Sequence, residues 1–145
     1  IFKNMHTTKK VSLLKKTDIF KNTPEADLEV IADILEHISL KNGDSIFTKG
    51  DIGECMYVVE KGSVRIHDGA YTFAILKENE VFGELSLLDS ETRSASATCN
   101  EDSTLLKLDQ LPFYKILSKD QEVLKGILQM LCRRIRMLDE KSAHQ

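Results

Sequence analysis

No apolar run in this chain approaches the roughly 18 residues that a membrane-spanning helix needs, and no apolar segment at its start resembles a secretion signal. The first residue is Ile1, so the expectation is a piece cut from something longer, with its effector elsewhere. Cysteine is scarce: Cys55, Cys99 and Cys132 are odd in number, far apart and free of C-x-x-C spacing. They read as reduced thiols of a cytosolic protein. Histidine is spread just as thinly, over His6, His37, His67 and His144. A zinc site would want clustered ligands, and neither a metal nor another cofactor is expected. An excess of positive charge is missing too. With 20 basic and 23 acidic side chains the net charge is −3, which argues against direct contact with nucleic acid, since a phosphate backbone requires a basic face.

What remains is a chain of 145 residues, 41% hydrophobic and 30% charged, the balance of one soluble globular domain large enough to bury a core. A cytoplasmic location is expected. The charge is uneven, because Lys3, Lys9, Lys10, Lys15 and Lys16 all precede the first acid, Asp18. This segment reads as a solvated helix face, and any membrane or acidic-partner contact would run through it.

Helices are expected at both ends. Thr23-Pro24-Glu25 resembles a helix start, with a hydroxyl cap, a proline in the first turn and an acid near the positive end of the dipole. Leu28, Ile31, Ala32 and Leu35 then recur at helical spacing, after a shorter amphipathic piece near Val11–Leu14 and a turn at Asp18-Ile19-Phe20. From Ile38 the pattern changes to short β-branched and aromatic segments divided by Asn42-Gly43, Lys49-Gly50-Asp51, Lys61-Gly62 and Asp68-Gly69. Such spacing implies a barrel or a two-sheet jelly roll of about eight short strands over residues 38–108. Beyond it, Asp109 can cap a helix with Pro112 in its first turn, and Ser118 with Gln121 has capping-box spacing for a second. Leu124, Ile127, Leu131, Ile135 and Leu138 form one stripe on that last helix, suited to core packing or to a movable lid. The expected whole is one domain, mainly β with flanking α-helices: helical over 1–37, β-roll over 38–108, two helices over 109–140.

The segment from Phe82 to Cys99, FGELSLLDSETRSASATC, carries the chemistry. A glycine opening a short helix lets a ligand approach the backbone, and free N–H groups there favour an anion. Taken singly, Glu84 would be a surface acid and Arg93 a solvated charge. Together with Gly83 they divide the work: Arg93 and Ser94 suit phosphate oxygens, whereas an ionised Glu84 only accepts hydrogen bonds and suits a hydroxyl. A phosphate beside a ribose meets both demands.

This segment resembles the phosphate-binding cassette of the cyclic nucleotide-binding domain family, as found in protein kinase A regulatory subunits, catabolite activator proteins and cyclic nucleotide-gated channels. A second stretch, IFTKGDIGECMYVVEKG from Ile46 to Gly62, is similar to the family's upstream signature; Phe47 departs from its usual Val, Ile or Cys. The resemblance implies a binding module for cyclic AMP or cyclic GMP, with cyclic AMP slightly favoured as the commoner ligand. It implies a cassette over 82–95 in which Glu84 takes the ribose 2′-hydroxyl and Arg93 the cyclic phosphate, while Gly83, Leu85, Ser86, Ser94 and Ala95 supply contacts around that phosphate. It further implies a hinge at Phe113, lid residues among Leu131, Arg134 and Ile135, and an effector outside the chain. Two other classes are compatible with such a roll: a ligand-free relative acting as a protein interaction module, and a cupin-like enzyme. The second lacks the converging histidines that metal chemistry in a jelly roll requires, since only His67 lies on or beside an expected strand. A non-enzymatic role is the expectation.

Overall fold

The computed structural model describes residues 5–143; Lys3 and His144, named above, lie outside them. The described residues fall into two compact units, one from residues 34–113 and one from residues 5–33 with 114–143.

In the first unit turns, four of them at the glycine-bearing positions expected, cut the chain into the expected number of strands: β1 (Glu36–Leu40), β2 (Ser45–Phe47), β3 (Cys55–Lys61), β4 (Val64–Asp68), β5 (Tyr71–Leu76), β6 (Val81–Phe82), β7 (Ser96–Cys99) and β8 (Ser103–Asp109). They form two four-stranded antiparallel sheets, ordered β1-β8-β3-β6 and β2-β7-β4-β5. Alternation along β3 puts Cys55, Tyr57 and Val59 on one face, where they are buried with Val64, Phe82, Ala97 and Leu105. His67 is an ordinary strand residue, its ring nitrogens 2.9 Å from the Gly69 carbonyl and 2.7 Å from the Thr98 hydroxyl.

Helices α1 (Met5–Lys15), α2 (Glu25–Asp33), α3 (Gln110–Leu117) and α4 (Gln121–Ala143) flank the roll in sequence. No helix among the described residues is long and apolar enough to cross a membrane.

Three helical expectations need correction. Thr23 precedes α2, but the Asp27 and Leu28 amides bond the Pro24 carbonyl and the Thr23 hydroxyl has no hydrogen-bond partner among the described residues. Its amide closes a turn on the Phe20 carbonyl. The side chain is thereby buried beside Gly126, where an added Cβ would stand 3.1 Å from Oγ1. Ser118 does not cap α4, because it still belongs to the end of α3 and donates to the Lys115 carbonyl at 2.8 Å. Asp120 takes the cap, accepting from the amides of Glu122 and Val123 at 3.0 and 3.2 Å.

The buried face of α4 is also rotated from the expected stripe. Val123, Ile127 and Met130 are buried, whereas Leu124, Ile135 and Leu138 are 40%, 58% and 64% exposed and Leu131 is half-buried. On the same helix Arg133 and Arg134 both bind Asp18, Arg134 at 2.7–2.9 Å. Burial raises the Asp18 carboxyl, but hydrogen bonds and charge from Arg134 and Arg133 outweigh it and hold the group below its usual range.

Asp27 behaves oppositely. A hydrogen bond with Asp120, burial and the charges of Asp120 and Glu122 push it up to about 6. Because the folded state holds this proton more tightly than the unfolded chain, the associated stability is full below about pH 4 and is lost as pH rises through 6. Asp27→Asn should therefore raise the melting temperature at pH 7.5 and flatten its pH dependence between 4.5 and 7.5. Thermal melts across that range with an unchanged slope would refute the Asp27–Asp120 contact.

Candidate functional site

The site begins where β6 ends. Gly83 follows in the left-handed region at φ 74° and leads into a single 3₁₀ turn, Glu84–Leu87, rather than a longer helix. A side chain at residue 83 would be strained by that backbone and obstructed as well, since its Cβ would lie 2.5 Å from Arg93 Nη1. The other wall is built by strand-like pairing. The Arg93 amide donates to the Asp51 carbonyl at 2.7 Å, the Gly50 amide to the Arg93 carbonyl at 2.9 Å, and the Gly53 amide to the Glu91 carbonyl at 2.9 Å. The Gly50-Asp51-Ile52-Gly53 loop thus holds the backbone from which Arg93 projects.

Arg93 is only 7% exposed. Its Nη1 donates to Ser86 Oγ at 3.0 Å and its Nη2 to the Cys55 carbonyl at 2.9 Å, with Cys55 Sγ at 3.5 Å. Its guanidinium carbon lies 4.2 Å from the centre of the Phe47 ring. All of these partners are neutral. A buried cation without a counter-charge is costly, so the arrangement favours an anion arriving from outside. The space for one is a cleft of about 220 Å³ beside the guanidinium, lined by Gly83, Ser86, Arg93, Ser94 and Ala95 together with Phe47, Ile66, Phe82 and Thr92. A larger groove, about 300 Å³ along α1 and α2, gathers none of the residues expected to bind ligand.

A family model, described as the cyclic nucleotide-binding domain, matches residues 37–120. The chain belongs to the cyclic nucleotide-binding domain family. It is 32% identical over 131 residues to the cyclic AMP receptor protein of Thermus thermophilus, covering 87% of this chain and 61% of that relative; it therefore spans about three fifths of that relative's length. The N-terminal domain of a transcriptional regulator from Streptomyces coelicolor A3(2) superposes with a TM-score of 0.83 at 27% identity, over 88% of this chain and 95% of that one. The cAMP-bound PfPKA-R (141–441) gives 0.72, also at 27% identity, over 80% and 43%.

Within this cyclic nucleotide-binding domain, five of the seven expected ligand residues line the cleft. Glu84 and Leu85 do not: they occupy the same turn, Glu84 half-buried and Leu85 51% exposed. Phe113 is fully buried in α3, while Leu131, Arg134 and Ile135 belong to α4 in the other unit. Sequence reasoning missed Phe47, Ile66, Phe82 and Thr92 as cleft walls, and it missed Gln110. That side chain, 8% exposed at the start of α3, donates to the carbonyls of Ser86 and Leu87 at 3.3 and 3.4 Å and accepts from Ser90 Oγ at 3.0 Å. Gln110 thereby ties α3 to the turn whose Ser86 holds Arg93. A glutamine in the first turn of a helix carries no sequence signal for such a role.

Gly53, within the Ile46–Gly62 stretch, is required by close packing. A Cβ there would stand 2.5 Å from Ser86 Oγ and 2.9 Å from Arg93 Nε. Gly53→Ala should displace the guanidinium and weaken cyclic nucleotide binding at least tenfold, about 1.4 kcal/mol, in a protein that still folds cooperatively. Unchanged affinity in a titration would show that Arg93 need not sit where it does.

Proposed function

We propose that this chain is a regulatory module that binds a cyclic nucleotide, cyclic AMP in preference to cyclic GMP, and passes binding to an effector outside the chain. The buried Arg93 guanidinium, whose partners among the described residues are neutral and which lines a cleft, is the observation that supports it. In this reading the cyclic phosphate supplies the missing negative charge, Ser94 and the turn from Gly83 through Leu85 and Ser86 supply hydrogen bonds, and Ala95 leaves room for the ligand. Glu84 turns toward the cleft and takes the ribose 2′-hydroxyl. The named character of two relatives, a cyclic AMP receptor protein and a cAMP-bound PfPKA-R, supports the choice of nucleotide.

Residues 1–145 act as one regulatory domain in the cytoplasm, without catalysis or direct contact with nucleic acid, and any membrane contact is made by the basic N-terminal segment. A phosphate that competes with Ser86 for Arg93 moves the turn, and Gln110 and Phe113 carry that movement into α3. Leu131, Arg134 and Ile135 then close over the base as α4 follows. Such a shift is limited to the nucleotide's differential affinity for the two arrangements.

Displacement of a fluorescent cyclic nucleotide by unlabelled cyclic AMP, cyclic GMP and 5′-AMP tests this reading. Cyclic AMP should displace it at the lowest concentration and 5′-AMP at the highest. Absence of saturable binding at millimolar nucleotide would leave the ligand-free interaction module as the better account; displacement first by cyclic GMP would reverse only the preference.

A further inference from the structure

We propose that Phe47 is a positioning residue for the anion site: its ring face holds Arg93 ready for the phosphate without consuming any of the guanidinium's hydrogen bonds. This rests on the cyclic nucleotide reading above. Phe47 ends β2, an edge strand whose pairing with β7 is irregular between Ser45 and Phe47, and such a bulge re-aims a side chain. The re-aimed ring lies with its centre 4.2 Å from the guanidinium carbon, within the range where a π face attracts a cation. Tyr57 and Phe82 brace it, with ring centres 6.2 and 6.0 Å away and 5.0 Å from each other.

Phe47 solves a problem of competing partners. A carboxylate beside Arg93 would stabilise the cation but neutralise it and occupy the fork that must receive phosphate. Water would leave the side chain free to wander, and ordering it would then weaken binding. An aromatic face attracts the positive charge from one side only, and the five N–H donors stay in the guanidinium plane. Ser86 and Cys55 engage part of that edge; the remainder faces ligand.

The test keeps the side-chain volume and changes only the ring's electrostatics. Mono-, di- and trifluorophenylalanine are incorporated at residue 47 of this chain, and dissociation constants are measured for cyclic AMP and for its neutral methyl phosphotriester. The expected result is a stepwise loss of cyclic AMP affinity reaching about threefold to tenfold at trifluorophenylalanine, the range for re-ordering one long side chain. The neutral triester should show no trend, because it makes no demand on the guanidinium charge. A flat cyclic AMP series in a protein that binds the nucleotide would overturn the positioning role and leave the cyclic nucleotide reading intact. Parallel losses for both ligands would also overturn it, by showing that the ring shapes the cleft only. If the unsubstituted chain binds neither ligand, the cyclic nucleotide reading fails and this inference falls with it.

Discussion

Arg93→Ala should bind cyclic nucleotide at least 100-fold more weakly than the parent chain while remaining folded. The magnitude follows from the environment of the group, a guanidinium 7% exposed among neutral partners. In the proposed complex phosphate and Arg93 form a buried ion pair, and deleting one partner of such a pair costs about 3–5 kcal/mol, roughly two to three and a half decades in affinity. Stability should move differently. Without ligand the cation lacks a counter-charge, so removing it relieves a desolvation cost as well as losing the bonds to Ser86 and Cys55. The ligand-free melting temperature should stay near or above that of the parent, as expected where a functional group is held at the expense of stability. A loss of affinity below about tenfold, near 1.4 kcal/mol, would remove Arg93 from the phosphate site.

Glu84→Gln should weaken binding by tens to hundreds of fold, because a hydrogen bond to a charged group contributes about 1.5–3 kcal/mol. Its sharper signature is chemical. The 2′-deoxy analogue should bind the parent more weakly than the ribonucleotide does, yet distinguish little between parent and Glu84→Gln, since the partner is already gone. Strict additivity across the four combinations would rule out the contact. The experiment also probes a movement, since Glu84 is half-buried and outside the cleft lining in the ligand-free structure. Coupling to the 2′-hydroxyl would mean that the turn rearranges on binding.

The strands were legible because their signals are local: glycine-bearing turns separate runs of β-branched and aromatic residues. β6 escaped, being only Val81–Phe82 and too short to show alternation. The two misjudged caps have different causes: at α4 Ser118 and Asp120 compete and Asp120 reaches the amides, whereas at α2 a turn from Thr23 to the Phe20 carbonyl leaves the hydroxyl away from the helix start. On α4 the period itself was ambiguous. Val123, Ile127 and Met130 and the exposed Leu124, Ile135 and Leu138 each make an apolar row at helical spacing, and only the packing of the folded chain, which the helix's own sequence does not carry, decides between them. In the cleft lining, Gly83 stood out as a glycine opening a short helix, and Arg93, Ser94 and Ala95 only from the segment taken together. Phe47 and Gln110 were not, because what they do depends on partners far along the chain.

Amide hydrogen exchange with and without saturating cyclic AMP tests the central claim most directly, because it locates the ligand and its consequences together. The account predicts the largest gain in protection over residues 82–95, with a further gain over 110–138 and little change in β4 and β5. No gain over 82–95, or one centred instead on α1 and α2, would contradict the assignment of the nucleotide site. A gain confined to 82–95 at saturation would contradict its coupling to the C-terminal helices.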